Sequence, residues 1–291
     1  MKIQWNPFLY REMKHYAGSR RLYRWMMVYE VFLAVVTGVG YKIVFRTGWN
    51  HIMDYSGVAY LYFILAGILG GTVLLVVPSF AAGSIATEWE NQTMELLLTT
   101  SVDASQIVVG KVLSSICLVL LLVIAGVPFL AVAFIIGGIQ QKHLAEFLFL
   151  ILVESVFIGS MGVCLSAFLR KTNVAGIRAY MASLGISLGT PLVVGVIYFI
   201  LHAYRGGRYM EGRSRFGWVV LILLCNPLVA IASLLTDQMG YGDRFQKLLC
   251  LLGPLPDFLL EHWCLTSVVV QLVISLVSLI LSTRKIEKYY S

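Results

Sequence analysis

Long apolar stretches alternate with short charged ones along this chain. Six of them, residues 25–45, 58–81, 107–136, 144–169, 174–203 and 263–282, are long enough to cross a hydrocarbon core that needs about 20 helical residues. Glycines, Pro128 and Pro191 inside them are tolerable, because packed neighbours in a membrane satisfy freed backbone groups. A further apolar run, 218–235, is interrupted by Asn226–Pro227. We read it as a broken, re-entrant or interfacial element, with 236–262 returning to the last span; the competing reading is a seventh span. The pattern thus predicts an all-α integral membrane protein with six transmembrane helices and a large connection, 204–262, before the last one. The small-residue groups Gly67–Gly70–Gly71 and Gly185–Gly189 mark candidate places of close helix contact.

Composition agrees with a bilayer as the solvent. Of 291 residues, 59% are hydrophobic and 13% charged, against about 45–50% and about 25% in soluble domains. A soluble globule could not hide that much apolar surface, which excludes a soluble enzyme. The five cysteines are odd in number, form no CxxC pair and lie mostly in apolar runs, so they read as small buried hydrophobes. His15, His51, His143, His202 and His262 are scattered and make no metal site. Residues 1–24, with Trp5, Pro7, Glu12 and His15, do not read as a cleaved signal peptide.

Charge sets the orientation. Lys2, Arg11, Lys14, Arg20, Arg21 and Arg24 oppose Glu12 before the first span; Arg170, Lys171 and Arg178 follow the fourth; Arg284, Lys285 and Lys288 oppose Glu287 after the last. An even number of spans with both termini cytoplasmic puts all three groups inside. The arginines of 205–215 then fall outside, against the trend.

One inside segment breaks the rule. Residues 83–111 carry Glu88, Glu90, Glu95 and Asp103 where bases are expected. On a helical wheel Ile85, Trp89 and Leu96 share a narrow arc, with Glu88, Asn91 and Glu95 on the neighbouring one. Ser84 or Thr87 can cap the start. The expectation is a short amphipathic helix under the membrane, shaped for a soluble partner: apolar knobs for a groove, carboxylates for its basic rim.

These residues carry a family resemblance. Ile85, Glu88, Glu90, Thr93, Glu95, Leu97, Ile107, Gly110 and Lys111 follow a pattern similar to that of permeases of the type-2 class of ABC exporters. Asn6–Pro7 followed by Arg11–Glu12 resembles their usual start. Trp89 stands where that pattern has Arg, Gln92 where it has Gly, and the proline common after the Leu-Leu pair is missing. The resemblance implies a single permease domain over 1–291, in the membrane of a bacterial-type cell, that works with a second permease copy or a sister permease. It implies a separate ATP-binding cassette subunit that holds ATP and Mg and meets residues 84–106, with Glu88, Glu90, Thr93, Met94, Glu95 and Leu97 as the coupling residues. It also implies an interfacial helix before the first span (1–24, with 5–23 along the inner surface) and small outer helices before the last span.

The chain's own chemistry is that of a conduit. A phosphate-binding loop needs G-x-x-x-x-G-K-[ST]; Gly110–Lys111 is followed by Val112, and position 105 is Ser. No catalytic constellation, cofactor site or nucleic-acid surface is evident, so we expect a transport subunit and not an enzyme. Glu154 lies about ten residues into the fourth span, where a charge costs on the order of 2.5–3.5 kcal/mol, so it should face protein or water. Glu154 and, with less reason, Glu30 are candidate residues of a translocation path. The rival classes are an ion-driven carrier, which needs more buried charges, and a non-transporting scaffold or sensor.

Overall fold

A helix in lipid can leave apolar side chains uncovered, so its covered face shows where the protein packs. The computed structural model describes residues 20–46, 55–95, 103–137, 140–204 and 217–288. Most of the expected interfacial helix, and Leu97, lie outside the described residues. The elements are α1 (Arg20–Arg46), α2 (Tyr55–Glu90), α3 (Ala104–Gly137), α4 (Gln141–Phe168) and α5 (Thr172–Leu184). A π turn (Gly185–Gly189) joins α5 to α6 (Thr190–Tyr204). Then come a 3-10 segment (Gly217–Cys225), α7 (Pro227–Gln238), α8 (Gly242–Leu249), α9 (Asp257–Glu261) and α10 (Trp263–Glu287). No strand occurs among the described residues. Six stretches are long and apolar enough to cross a membrane, with α5, the π turn and α6 forming one of them. The chain is an all-α integral membrane protein.

The α2 helix is the hub and packs on α1, α3, α4, α5 and α7. Its buried Leu65, Leu69 and Val77 meet Val119 and Val123 of α3 and Ile151 and Phe157 of α4 in one apolar core. Pro78 interrupts its hydrogen-bond ladder, since proline has no N–H to donate. The α5 helix fills the gap: Tyr180 donates its hydroxyl to the Leu75 carbonyl (2.9 Å) and Ser183 to that of Leu74 (3.3 Å).

Close helix approach follows the expectation at one glycine only. Of the glycines singled out in the sequence, Gly67, Gly71, Gly185 and Gly189 would have nothing within 4 Å of an added Cβ, whereas at Gly70 it would stand 2.7 Å from Ile231 Cδ1 of α7 and 3.9 Å from Ile151 Cδ1 of α4. A tight crossing that the sequence did not single out is at Gly162 of α4, where an added Cβ would stand 2.7 Å from the Ala81 Cβ of α2. Glycine spacing alone does not say which face of a helix is covered.

The interrupted apolar run is two arms bent by 98° at Asn226. Nine 3-10 residues and twelve α-helical ones give arms of about 18 Å each, so the bent pair reaches about 24 Å, short of a core about 30 Å thick. Asn226 is fully buried and makes the corner. Its Oδ1 accepts from Val229 N (3.0 Å), capping α7, while its Nδ2 donates toward the Ile186 and Ser187 carbonyls (2.9 Å each) and Thr190 Oγ1 (2.7 Å). Those carbonyls belong to the π turn, so one side chain fastens the corner to the fifth span. A second small core of Val220, Leu223, Leu249, Leu252 and Trp263 completes a cap at that end.

Candidate coupling site

The acidic segment does not begin with a cap. Residues 84–90 continue α2, and Ser84 donates back to the Ala81 carbonyl (2.7 Å) inside the helix. The helix ends by a Schellman closure. Gln92 N donates to the Trp89 carbonyl (3.2 Å) and Thr93 N to that of Glu88 (3.0 Å), with Gln92 left-handed at φ 58°. The chain then starts a new helical turn at Met94–Glu95. The reversal at Gln92 separates Glu88 from Glu95, so the single carboxylate stripe expected from the wheel is not formed. It also gives the Gly of the family pattern a reason: the position needs φ > 0, which an L side chain adopts at a cost of about 1 kcal/mol.

The two carboxylates at the tip turn toward the protein. Glu88 Oε1 pairs with Lys111 Nζ of α3 at 3.2 Å, and its Oε2 accepts from Thr93 Oγ1. Lys111 is 4% exposed and pairs with Glu88. Glu90 is exposed, yet its Oε2 accepts from Thr172 N (3.0 Å) at the start of α5, where free N–H groups favour an anion. It lies beyond the apolar stretch 58–81, and its hydrogen bonds to the Thr172 side chain and backbone hold its carboxyl below the usual range.

Two further ties reach α4 and the turn just after it. Ser166 Oγ, fully buried, accepts from Ile85 N (3.0 Å) and Ala86 N (2.8 Å), and Arg170 lies over the Trp89 ring at 4.9 Å. Met94 is 1% exposed and anchors the new turn, whereas Asn91, Gln92 and Glu95 are exposed. The tip of α2 is therefore joined to α3, α4 and α5 by polar contacts and shows a small polar surface outward. Sequence reasoning missed the Glu88–Lys111 pair although both residues stood in the motif; their 23-residue separation hid it.

The two candidate path residues are not brought together. Glu30 is half-buried on α1. Glu154 is fully buried between α4 and α10, facing protein as its cost demands. Gln271 of α10 faces it, but neither carboxylate oxygen meets a hydrogen-bond partner among the described residues. Ser267, Gln271, Ser275 and Ser282 form a buried polar stripe along α10. Their spacing of four, four and seven residues was readable as one helix face, but it gave no hint of the partner helix.

The described residues form a helical bundle with six stretches long and apolar enough to cross a membrane and a braced tip at one end. Residues 20–285 match the family model described as ABC-2 family transporter protein, and the chain belongs to that family. No curated protein matches it. The chain is an ABC transporter permease, a membrane component of transport.

Proposed function

We propose that this permease is the membrane half of an ATP-driven exporter and that residues 84–106 take up the motion of a separate ATP-binding subunit. One observation carries the reading: the tip of α2 is tied to three other spans at once, while its outer surface is left to solvent. A push on a tip so braced displaces α3, α4 and α5 together, by Lys111, Ser166 and Thr172. The bundle then exchanges between two packings whose balance the ATP-bound partner biases. Asn91, Gln92 and Glu95 form the contact surface, with Leu97 beyond the described residues. Glu88, Glu90, Thr93 and Met94 stiffen it. This end faces the cytoplasm, in keeping with the nearby Arg170, Lys171 and Lys285.

The chain works in pairs in this account. Large apolar side chains lie exposed along α1 and α5–α6, among them Phe32, Ile177, Met181 and Phe199. Lipid and a second permease share those faces. ATP and Mg stay on the partner.

Affinity purification of the full chain in detergent, with mass spectrometry of what stays bound, tests the reading. An ATP-binding subunit is expected in the wild-type eluate and is expected to be depleted severalfold by Glu95→Lys with an intact fold. A folded chain that retains no such subunit contradicts it.

A further inference from the structure

At the end opposite Lys111 lies a cavity of about 300 Å³, enclosed by the start of α4, the α7–α8 corner and the α9–α10 junction. That volume is at the lower end of the range for small-molecule sites. Its lining carries Glu146, Asp237 and Glu261, with His262 the one basic ring among the described lining residues. Glu146 is already shared: Lys142 Nζ stands at 3.5 Å, His143 Nδ1 at 3.3 Å and Gln238 Nε2 at 3.5 Å. Asp237 and Glu261 form no ion pair among the described residues. Phe149, Phe245 and Trp263 supply aromatic walls. Leu150 and Val268 add apolar lining, and the exposed side chains of Phe149 and Leu265 make an apolar rim.

One buried group adds to this picture. Trp263 is 2% exposed, and its Nε1–H donor meets no acceptor among the described residues, an unmatched group in the cavity wall. The cavity therefore combines carboxylates, aromatic faces and apolar side chains in one lining.

We propose that this cavity is a binding site for a cationic amphiphile: a quaternary or primary ammonium head at Asp237 and Glu261, a tail along Leu265 and Val268, and an acceptor oxygen near the head for Trp263. The aromatic walls suit such a head, since ring faces attract a cation and a quaternary ammonium is cheap to desolvate. The proposal stands on the cavity alone and does not rest on the exporter reading.

Equilibrium binding of lauroylcholine to the full chain in phosphatidylcholine nanodiscs tests it, with empty nanodiscs measuring simple partition. The probe has the ammonium, the ester oxygen and a twelve-carbon tail. Saturable binding of one probe per chain is expected, displaced by dodecyltrimethylammonium and not by dodecyl sulfate. Asp237→Asn with Glu261→Gln, both at exposed positions, is expected to weaken binding about tenfold, the effect of losing two partly solvated charge contacts. Glu287→Gln at the far end is the control and should change nothing. Uptake equal to empty nanodiscs, equal competition by dodecyl sulfate, or unchanged affinity in the folded double variant would each overturn the proposal.

Discussion

Lys111 is the residue on which the α2 tip turns. A buried ammonium that loses this carboxylate keeps its desolvation cost and loses a charge-assisted contact, whereas Glu88 alone keeps Thr93 and some solvent. Glu88→Gln should therefore destabilise the chain more than Lys111→Met, by about 2–3 kcal/mol against about 1–2 kcal/mol. The double substitution should recover most of the loss. Thermal unfolding in one detergent, arranged as a double-mutant cycle, gives the coupling; additive losses would remove the pair from the account. Gln92 makes the opposite case. Gln92→Gly should raise stability by about 1 kcal/mol by relieving the left-handed backbone, and Gln92→Val should lower it. Here the sequence was half legible: the motif located the site, but a wheel drawn through Gln92 assumed one continuous helix and so put Glu88 on the outside.

Among the elements, the corner at Asn226 and the crossing at Gly162 set where helices meet. Asn226→Ala removes a cap and the donor that answers the π-turn carbonyls, so a loss of about 2–4 kcal/mol is expected. A change below about 0.5 kcal/mol in the same unfolding assay would show that the corner does not depend on it. Gly162→Val forces α4 away from α2 and should lower both stability and the yield of folded chain, measured as the monodisperse fraction after extraction. The six spans were readable because bilayer thickness imposes a length that no soluble contact imposes. The Asn-Pro break in 218–235 was readable for the same reason that proline opens a helix. What Asn226 holds was not, because its acceptors lie some 40 residues away on a turn whose geometry departs from the regular helix. The partner of the polar stripe on α10 was hidden likewise, since serines in membrane helices usually bond their own backbone.

For the whole molecule, the two ends differ in kind. One end has a tip braced by ion pair, hydroxyl and helix terminus; the other has a folded cap with an anionic, aromatic cavity. Between them the fully buried Glu154 faces α10, so a change in how α4 meets α10 alters its surroundings directly. The central claim is that the braced end receives the ATP-binding subunit. Photocrosslinking states this most directly. A benzophenone amino acid is placed at Asn91 or Glu95, exposed at the tip of α2, or at Asp243, exposed on α8 at the other end. The account predicts a crosslinked ATP-binding subunit from positions 91 and 95 and none from 243. A crosslink from 243, or none from 91 and 95 while the subunit still co-purifies, would contradict it.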